Sequence, residues 1–114
     1  MASMKLNKAL RAVKKGNLEK LEKVLVDKDP NIREEVAIAF GEIEDITVSN
    51  ALVTSMRDPV AFVRLASAQS LSKVGFPGAL EHIRRYLPQE QDEEVKAALV
   101  KAMDDIAARH KKSE

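Results

Sequence analysis

Apolar residues in this chain recur at helical spacing, in blocks separated by short polar turns, and one block serves as the template for the others. In DPVAFVRLASAQSLSKVG, from Asp58 to Gly75, the informative positions are Val63, Arg64, Ala68, Leu71 and Val74. Moved back by thirty-one residues they fall on Ile32, Arg33, Ala37, Phe40 and Ile43. Moved forward by thirty-two they fall on Val95, Lys96, Val100, Met103 and Ile106. A period of this length, with a helical hydrophobic pattern inside it, predicts a stacked helical repeat.

The same pattern predicts the individual helices. A short one runs from Met4 to Lys14, with Leu6, Leu10 and Val13 on one side and Gly16 beyond its end. Its lysine-rich outer side would keep the end of a stack soluble. Asn17 suits the N-cap of a second helix, to Val26, with Leu18, Leu21 and Leu25 inward. In DKDPN, Asp29 can cap a third helix, Pro30 to Glu44, because proline at the first helical position loses no hydrogen bond. A fourth starts at Thr47 or Ser49 and reaches Arg57, and the template helix follows Pro59. Gly75, Phe76, Pro77 and Gly78 predict a loop. Leu80, Ile83 and Leu87 line a helix ending at Pro88, and Asp92 caps a last one through Arg109, with the tail HKKSE expected to fray.

The expected fold class is therefore all-α, a right-handed α-α superhelix of about seven helices: three pairs behind an N-terminal capping helix. The expected division is one domain over residues 1–114, with the cap at 4–15 and repeats at 17–44, 47–75 and 77–110. A helix pair cannot bury its apolar stripe alone, whereas a stack of three can.

An acid stands six residues before a base in every repeat: Asp27 before Arg33, Asp58 before Arg64, and Glu90 before Lys96. One reading makes these structural groups that bridge one turn to the next or cap helix N-termini. The other is a phosphate-binding row of arginines. Together with the apolar spacing, the series resembles the HEAT-like repeats, in particular the short variety of the phycobilisome lyases. The resemblance covers residues 17–110 and implies a ladder of turn acids and helix bases between stacked units, formed by Asp27, Arg33, Asp58, Arg64, Glu90 and Lys96. It also implies that the second helix of each pair lines a concave side, and it carries no activity over.

Composition narrows the function. The chain has 114 residues, 45% hydrophobic and 4% aromatic, enough for a thin aliphatic core. Lys+Arg 19 against Asp+Glu 18 leaves a net charge of +1, so no global field points to nucleic acid. The charge is unevenly placed, however. Residues 1–28 hold eight basic and three acidic groups, and residues 29–58 hold two and seven. Without cysteine there is no disulfide, thiol nucleophile or Cys-bound metal, and no apolar run approaches a membrane span, so cytoplasm is the expected location.

Catalytic groups are sparse. His82 and His110 lie on different helices, and neither has a ligand partner one turn away, so no metal or cofactor is expected. Asp104 and Asp105 are adjacent and point apart on a helix, as do Glu34 with Glu35 and Glu93 with Glu94. No glycine-rich phosphate cradle is present. No enzymatic activity is expected.

A surface remains. Opposite the buried stripes the second helices present Glu34, Ile38, Gly41 and Asp45, then Leu65, Gln69 and Ser72, then Ala97, Lys101 and Asp104, extended by Lys8, Arg11 and Lys15. Apolar Ile38 and Leu65 with polar flanks suit a protein or peptide partner, unless curvature buries both. The main expectation is thus a scaffold binding a protein through Lys8, Arg11, Glu34, Ile38, Asp45, Leu65, Gln69 and Lys101. A second reading is nucleic-acid binding by Lys5, Lys8, Arg11, Lys14 and Lys15 with Arg57, Arg84 and Arg85, against which stand the balanced charge and the single tyrosine. A third is self-association through residues 92–109, where Ala98, Ala102 and Ala108 would permit close approach.

Overall fold

The computed structural model describes residues 25–111, together with Asn7 and Arg11, both helical and exposed. The expected helices 4–14 and 17–26 fall outside the described residues except at these two positions and at Leu25 and Val26, where a helix ends in a turn. Among the described residues there are five α-helices and no strand: α1 Pro30–Phe40, α2 Ile46–Ser55, α3 Ala61–Val74, α4 Ala79–Tyr86 and α5 Glu93–Arg109.

Local chemistry sets the boundaries. Asp29 is the N-cap of α1, its carboxylate accepting from the Asn31 N–H at 2.9 Å, with Pro30 at the first position. This helix stops at Phe40, four residues short of the expected Glu44. The Gly41 and Glu42 N–H groups bond to Ile38 and Ala39 three residues back, which tightens the end of the helix. Gly41 is required there, since a Cβ would stand 2.6 Å from Ser70 Oγ. The expected placement of Gly41 on an open ridge is thus corrected: it is buried where α1 meets α3.

Asp45 serves the next helix. It lies beyond α1 in extended backbone and caps α2, accepting from the Thr47 N–H at 2.7 Å, so α2 begins at Ile46 and not at Thr47 or Ser49. Ser49 is buried, and its hydroxyl accepts from the Phe76 N–H at 3.0 Å, tying α2 to the 75–78 loop. Helix α4 runs into a 3-10 turn, Leu87–Gln89, around Pro88. Asp92 caps α5 by accepting from Glu94 and Val95 at 2.9 and 3.1 Å.

Helices α1, α3 and α5 lie side by side in one row, α3 packing against both neighbours, while α2 and α4 form the row behind. Because α3 is covered on several sides it buries Val63, Ala66, Ser67, Ala68, Ser70, Leu71, Ser72 and Val74. Its small residues let α1 and α2 approach closely, and the buried hydroxyls find partners. Ser70 Oγ donates to the Ala37 carbonyl at 2.6 Å, and Ser67 Oγ lies 2.8 Å from the Val63 carbonyl and 2.6 Å from Ser55 Oγ. One continuous interior joins Phe40, Leu52, Leu71, Ile83, Leu99 and Ile106, with Met103 packed at its margin. Each large apolar side chain fully buried there contributes about 1.5–3 kcal/mol.

The third repeat departs from the simple shift. Helix α5 buries Val95, Leu99, Ala102 and Ile106, whereas Val100, aligned with Ala37 and Ala68, is 45% exposed. Met103, aligned with Phe40 and Leu71, is half-buried against the interior.

Candidate functional site

The acid and base series forms two bridges between successive repeats. Arg33 Nε and Nη2 donate to the two carboxylate oxygens of Asp58 at 2.7 and 3.0 Å, and Arg33 Nη1 donates to the Asp27 carbonyl at 2.6 Å. Arg64 repeats this with Glu90, at 2.8 and 2.9 Å, and with the Asp58 carbonyl at 2.9 Å. The spacing of six thus joins each arginine to the backbone oxygen of its own repeat's acid, while its charge partner is the acid of the following repeat. Each acid also staples its own turn: Asp27 accepts from the Asp29 N–H, Asp58 from Val60, and Glu90 from Asp92.

Lys96 does not continue the series. Its ammonium pairs with Glu93 on its own helix at 3.2 Å, because no later acid faces it among the described residues.

Glu90 is the most enclosed of these groups. Burial works against its ionisation but is outweighed by hydrogen bonds from Arg64, the Asp92 N–H and the Tyr86 hydroxyl, which hold its pKa down to about 2. The Arg33 and Arg64 pKa values are raised, chiefly by the hydrogen bonds to Asp58 and Glu90. With three nitrogens of each guanidinium already donating inside the protein, these arginines form internal struts rather than an open phosphate row.

Beside the ladder, α3 and α5 enclose a groove of about 440 Å³. Leu65, half-buried, and Ala97 and Ala98 supply its apolar wall, while Gln69, Lys73 and Lys101 supply polar groups. Of the residues expected to bind a partner, it gathers Leu65, Gln69 and Lys101. Ile38 lies on α1 and is 56% exposed, so curvature does not bury it. Glu34 is half-buried on the same helix, Arg11 is exposed, Lys8 lies outside the described residues, and Asp45 is exposed at the N-cap of α2.

Lys73 lines the groove as well, as do Glu94 and Ala98, which the sequence did not assign to the protein-binding ridge. A ridge follows one line per helix, whereas a groove between two helices is lined by facing flanks one turn apart, 65-69-72-73 against 94-97-98-101. That spacing was present in the sequence. Three polar contacts frame the groove: Lys73 Nζ to Glu42 at 3.1 Å, Lys101 Nζ to Asp105 at 2.6 Å, and the Ser72 hydroxyl to the same Asp105 carboxylate. Those bonds from Lys101 and Ser72 lower the Asp105 pKa.

A larger hollow, about 620 Å³, lies against α2 and the turn after it, lined by Ala51, Thr54 and Arg57 together with Leu25 and Val26. It sits at the edge of the described residues and holds none of the residues expected to bind a partner.

Some exposed cations elsewhere are paired within the chain. Arg84 and Arg85 converge on Glu81, and the Arg57 guanidinium lies 5.6 Å from the centre of the Tyr86 ring. The three alanines expected to make a self-association face do not share one: Ala102 is fully buried, Ala98 lines the groove, and Ala108 is exposed. The end of α5 is held, against the expected fraying up to His110. Arg109 donates to the Ser72 and Gly75 carbonyls at 2.7 and 2.8 Å, and the His110 ring lies tilted beside Phe76, ring centres 5.7 Å apart. Among the described residues no group of His, Asp or Glu is arranged to hold a metal, and no helix is long and apolar enough to cross a membrane.

No curated protein matches the chain. The family described as HEAT repeats matches residues 9–104. Paired helices, a thirty-residue period and that match lead to one conclusion: the chain belongs to the HEAT repeat family.

Proposed function

We propose that the chain is a non-catalytic scaffold that holds a protein or peptide partner along the face formed by α1, α3 and α5. The observation that carries this reading is the groove between α3 and α5, apolar at Leu65, Ala97 and Ala98 and polar at Gln69, Lys73 and Lys101. Exposed Ile38 offers a second apolar contact on α1. A partner helix or extended segment lying across these helices would bury the aliphatic side chains and exchange hydrogen bonds at the rim. Lys8, Arg11 and Glu34 extend the proposed surface, and the change from a basic first segment to an acidic second one would set orientation.

In this reading residues 4–15 cap a right-handed solenoid with repeats at 17–44, 47–75 and 77–110. The short repeat length accords with the phycobilisome-lyase variety, and the compartment is the cytoplasm. Nucleic-acid binding has less support, since Arg84 and Arg85 are engaged with Glu81.

Affinity capture from native extract with the wild-type chain, with Ile38→Asp, with Lys101→Glu, and with Arg85→Glu on a different face tests the proposal. A partner lost with the first two variants and kept with the third supports it. Recovery of the same proteins with all four baits, or of nucleic acid released by salt, would sink it.

A further inference from the structure

Of the three phenylalanines, Phe40 is fully buried and Phe76 is half-buried beside the His110 ring, whereas Phe62, in the first turn of α3, is 40% exposed. It precedes Leu65 by three residues, Gln69 by seven and Lys73 by eleven. Helical spacing therefore puts it on the flank of α3 that lines the groove, one turn beyond Leu65.

Contacts near the helix ends fix which residues of the neighbouring helices lie level with it. Ala37 meets Ser70 and Glu42 meets Lys73, so α1 and α3 run in the same direction, and Glu34 comes beside Leu65, eight residues back on each helix. Ser72 meets Asp105 and the Gly75 carbonyl meets Arg109, so α3 and α5 also run together, and Glu94 comes level with Phe62 three turns back. Carboxylates thus flank the Phe62 and Leu65 pair on both sides. Neither the Glu34 nor the Glu94 side chain has a hydrogen bond or ion pair among the described residues. The cations of the same face do: Lys73 pairs with Glu42 at 3.1 Å and Lys101 with Asp105 at 2.6 Å. The charge left unpaired around the apolar centre is negative.

Resting on the reading of this face as a protein-binding surface, we propose that its partner is a basic segment, with an aliphatic or aromatic side chain seated on Phe62 and Leu65 and a Lys or Arg on either side reaching Glu34 and Glu94. Packed helices lie about 8–10 Å apart and an extended chain advances about 3.3 Å per residue, so each base stands about two or three residues from the central side chain. Desolvating an exposed aromatic supplies the affinity, and the paired charges set the register. An acidic segment would meet both glutamates as like charges and would have to draw Lys73 and Lys101 from the carboxylates they already hold.

The test selects a random peptide library displayed on phage against the full chain and measures the enriched peptides by fluorescence anisotropy. The expected peptides carry an apolar residue with Lys or Arg two or three positions to each side, and their affinity falls as salt rises. Phe62→Ser should weaken them at least tenfold. Glu34→Gln combined with Glu94→Gln should do the same and remove most of the salt dependence, which a loss of packing would not do. These two glutamates have no internal partner, so the double variant keeps the wild-type urea midpoint and reports on binding even where Phe62→Ser unfolds. Enriched peptides that are acidic or uncharged, or basic ones that the double variant binds equally well, would overturn the proposal. If such peptides are still lost with Ile38→Asp or Lys101→Glu, the scaffold reading outlives it. Peptides indifferent to every variant on this face, or no enrichment at all, would overturn both. Sedimentation of the unmodified chain as a dimer that separates on Phe62→Ser would give the surface to a second copy and likewise overturn the proposal.

Discussion

Arg64 and Glu90 face each other across two parallel hydrogen bonds, 2.8 and 2.9 Å long, although 26 residues separate them in the chain. The glutamate side chain is inaccessible and the arginine only 15% exposed, so the pair works in a low-dielectric environment where losing one partner costs more than the pair itself contributes.

Replacing Arg33 or Arg64 by alanine should therefore lower stability by about 1–3 kcal/mol, with Arg64→Ala at the upper end because it strands a buried carboxylate. Lys96→Ala, which removes only an exposed pair with Glu93, should cost less than about 0.5 kcal/mol. Urea denaturation of the three variants checks the order. Equal losses would mean that the ladder has no special energetic place.

Glu90 makes stability depend on pH. Its pKa falls from 4.5 to about 2 in the folded protein, so its contribution is complete above 4.5 and is lost as the pH drops from there toward 2. The contribution is of order 1–3 kcal/mol. Between about pH 6 and pH 3 the wild-type urea midpoint should fall more steeply than that of Glu90→Gln, which has no charge to lose. Parallel slopes would show that other carboxylates carry the acid sensitivity.

Gly75 leaves no room for a side chain. A Cβ there would lie 2.6 Å from the Leu71 carbonyl and 2.5 Å from Ile106 Cδ1, and the backbone oxygen cannot move aside without opening α3. Gly75→Ala should destabilise by about 1–3 kcal/mol. Gly78→Ala meets nothing within 4 Å and should leave the thermal midpoint within a degree or two of wild type.

The two aliphatics of the proposed binding face should separate in behaviour. Ile38 is mostly exposed, so Ile38→Asp should change stability by less than about 0.5 kcal/mol. Leu65 packs against the core, and Leu65→Asp should cost about 1–3 kcal/mol, so a binding defect is cleanly read only from the former. Circular dichroism melts of both variants measure the difference.

Much of the candidate site was legible because helical spacing places side chains by angle. Leu65, Gln69 and Lys101 fall on one groove by the same periodicity that buries Leu71 and Ile106. Asp45 and Gly41 did not follow, since both belong to a helix end. Periodicity gives no sign of where a helix stops when a glycine and a cap residue compete to end it.

The sequence by itself determined the five described helices, their order and the repeat, because turn residues and an apolar stripe act over one or two turns of chain. Which acid each arginine would take, and that Val100 would be exposed, only the tertiary structure decided. Arg64 lies six residues after Asp58 and twenty-six before Glu90, and the stacking of hairpins turns the nearer acid's backbone and the farther acid's charge toward it. Val100 matches two buried alanines in spacing yet stands exposed, since burial depends on what lies beyond a residue as well as on the face it occupies.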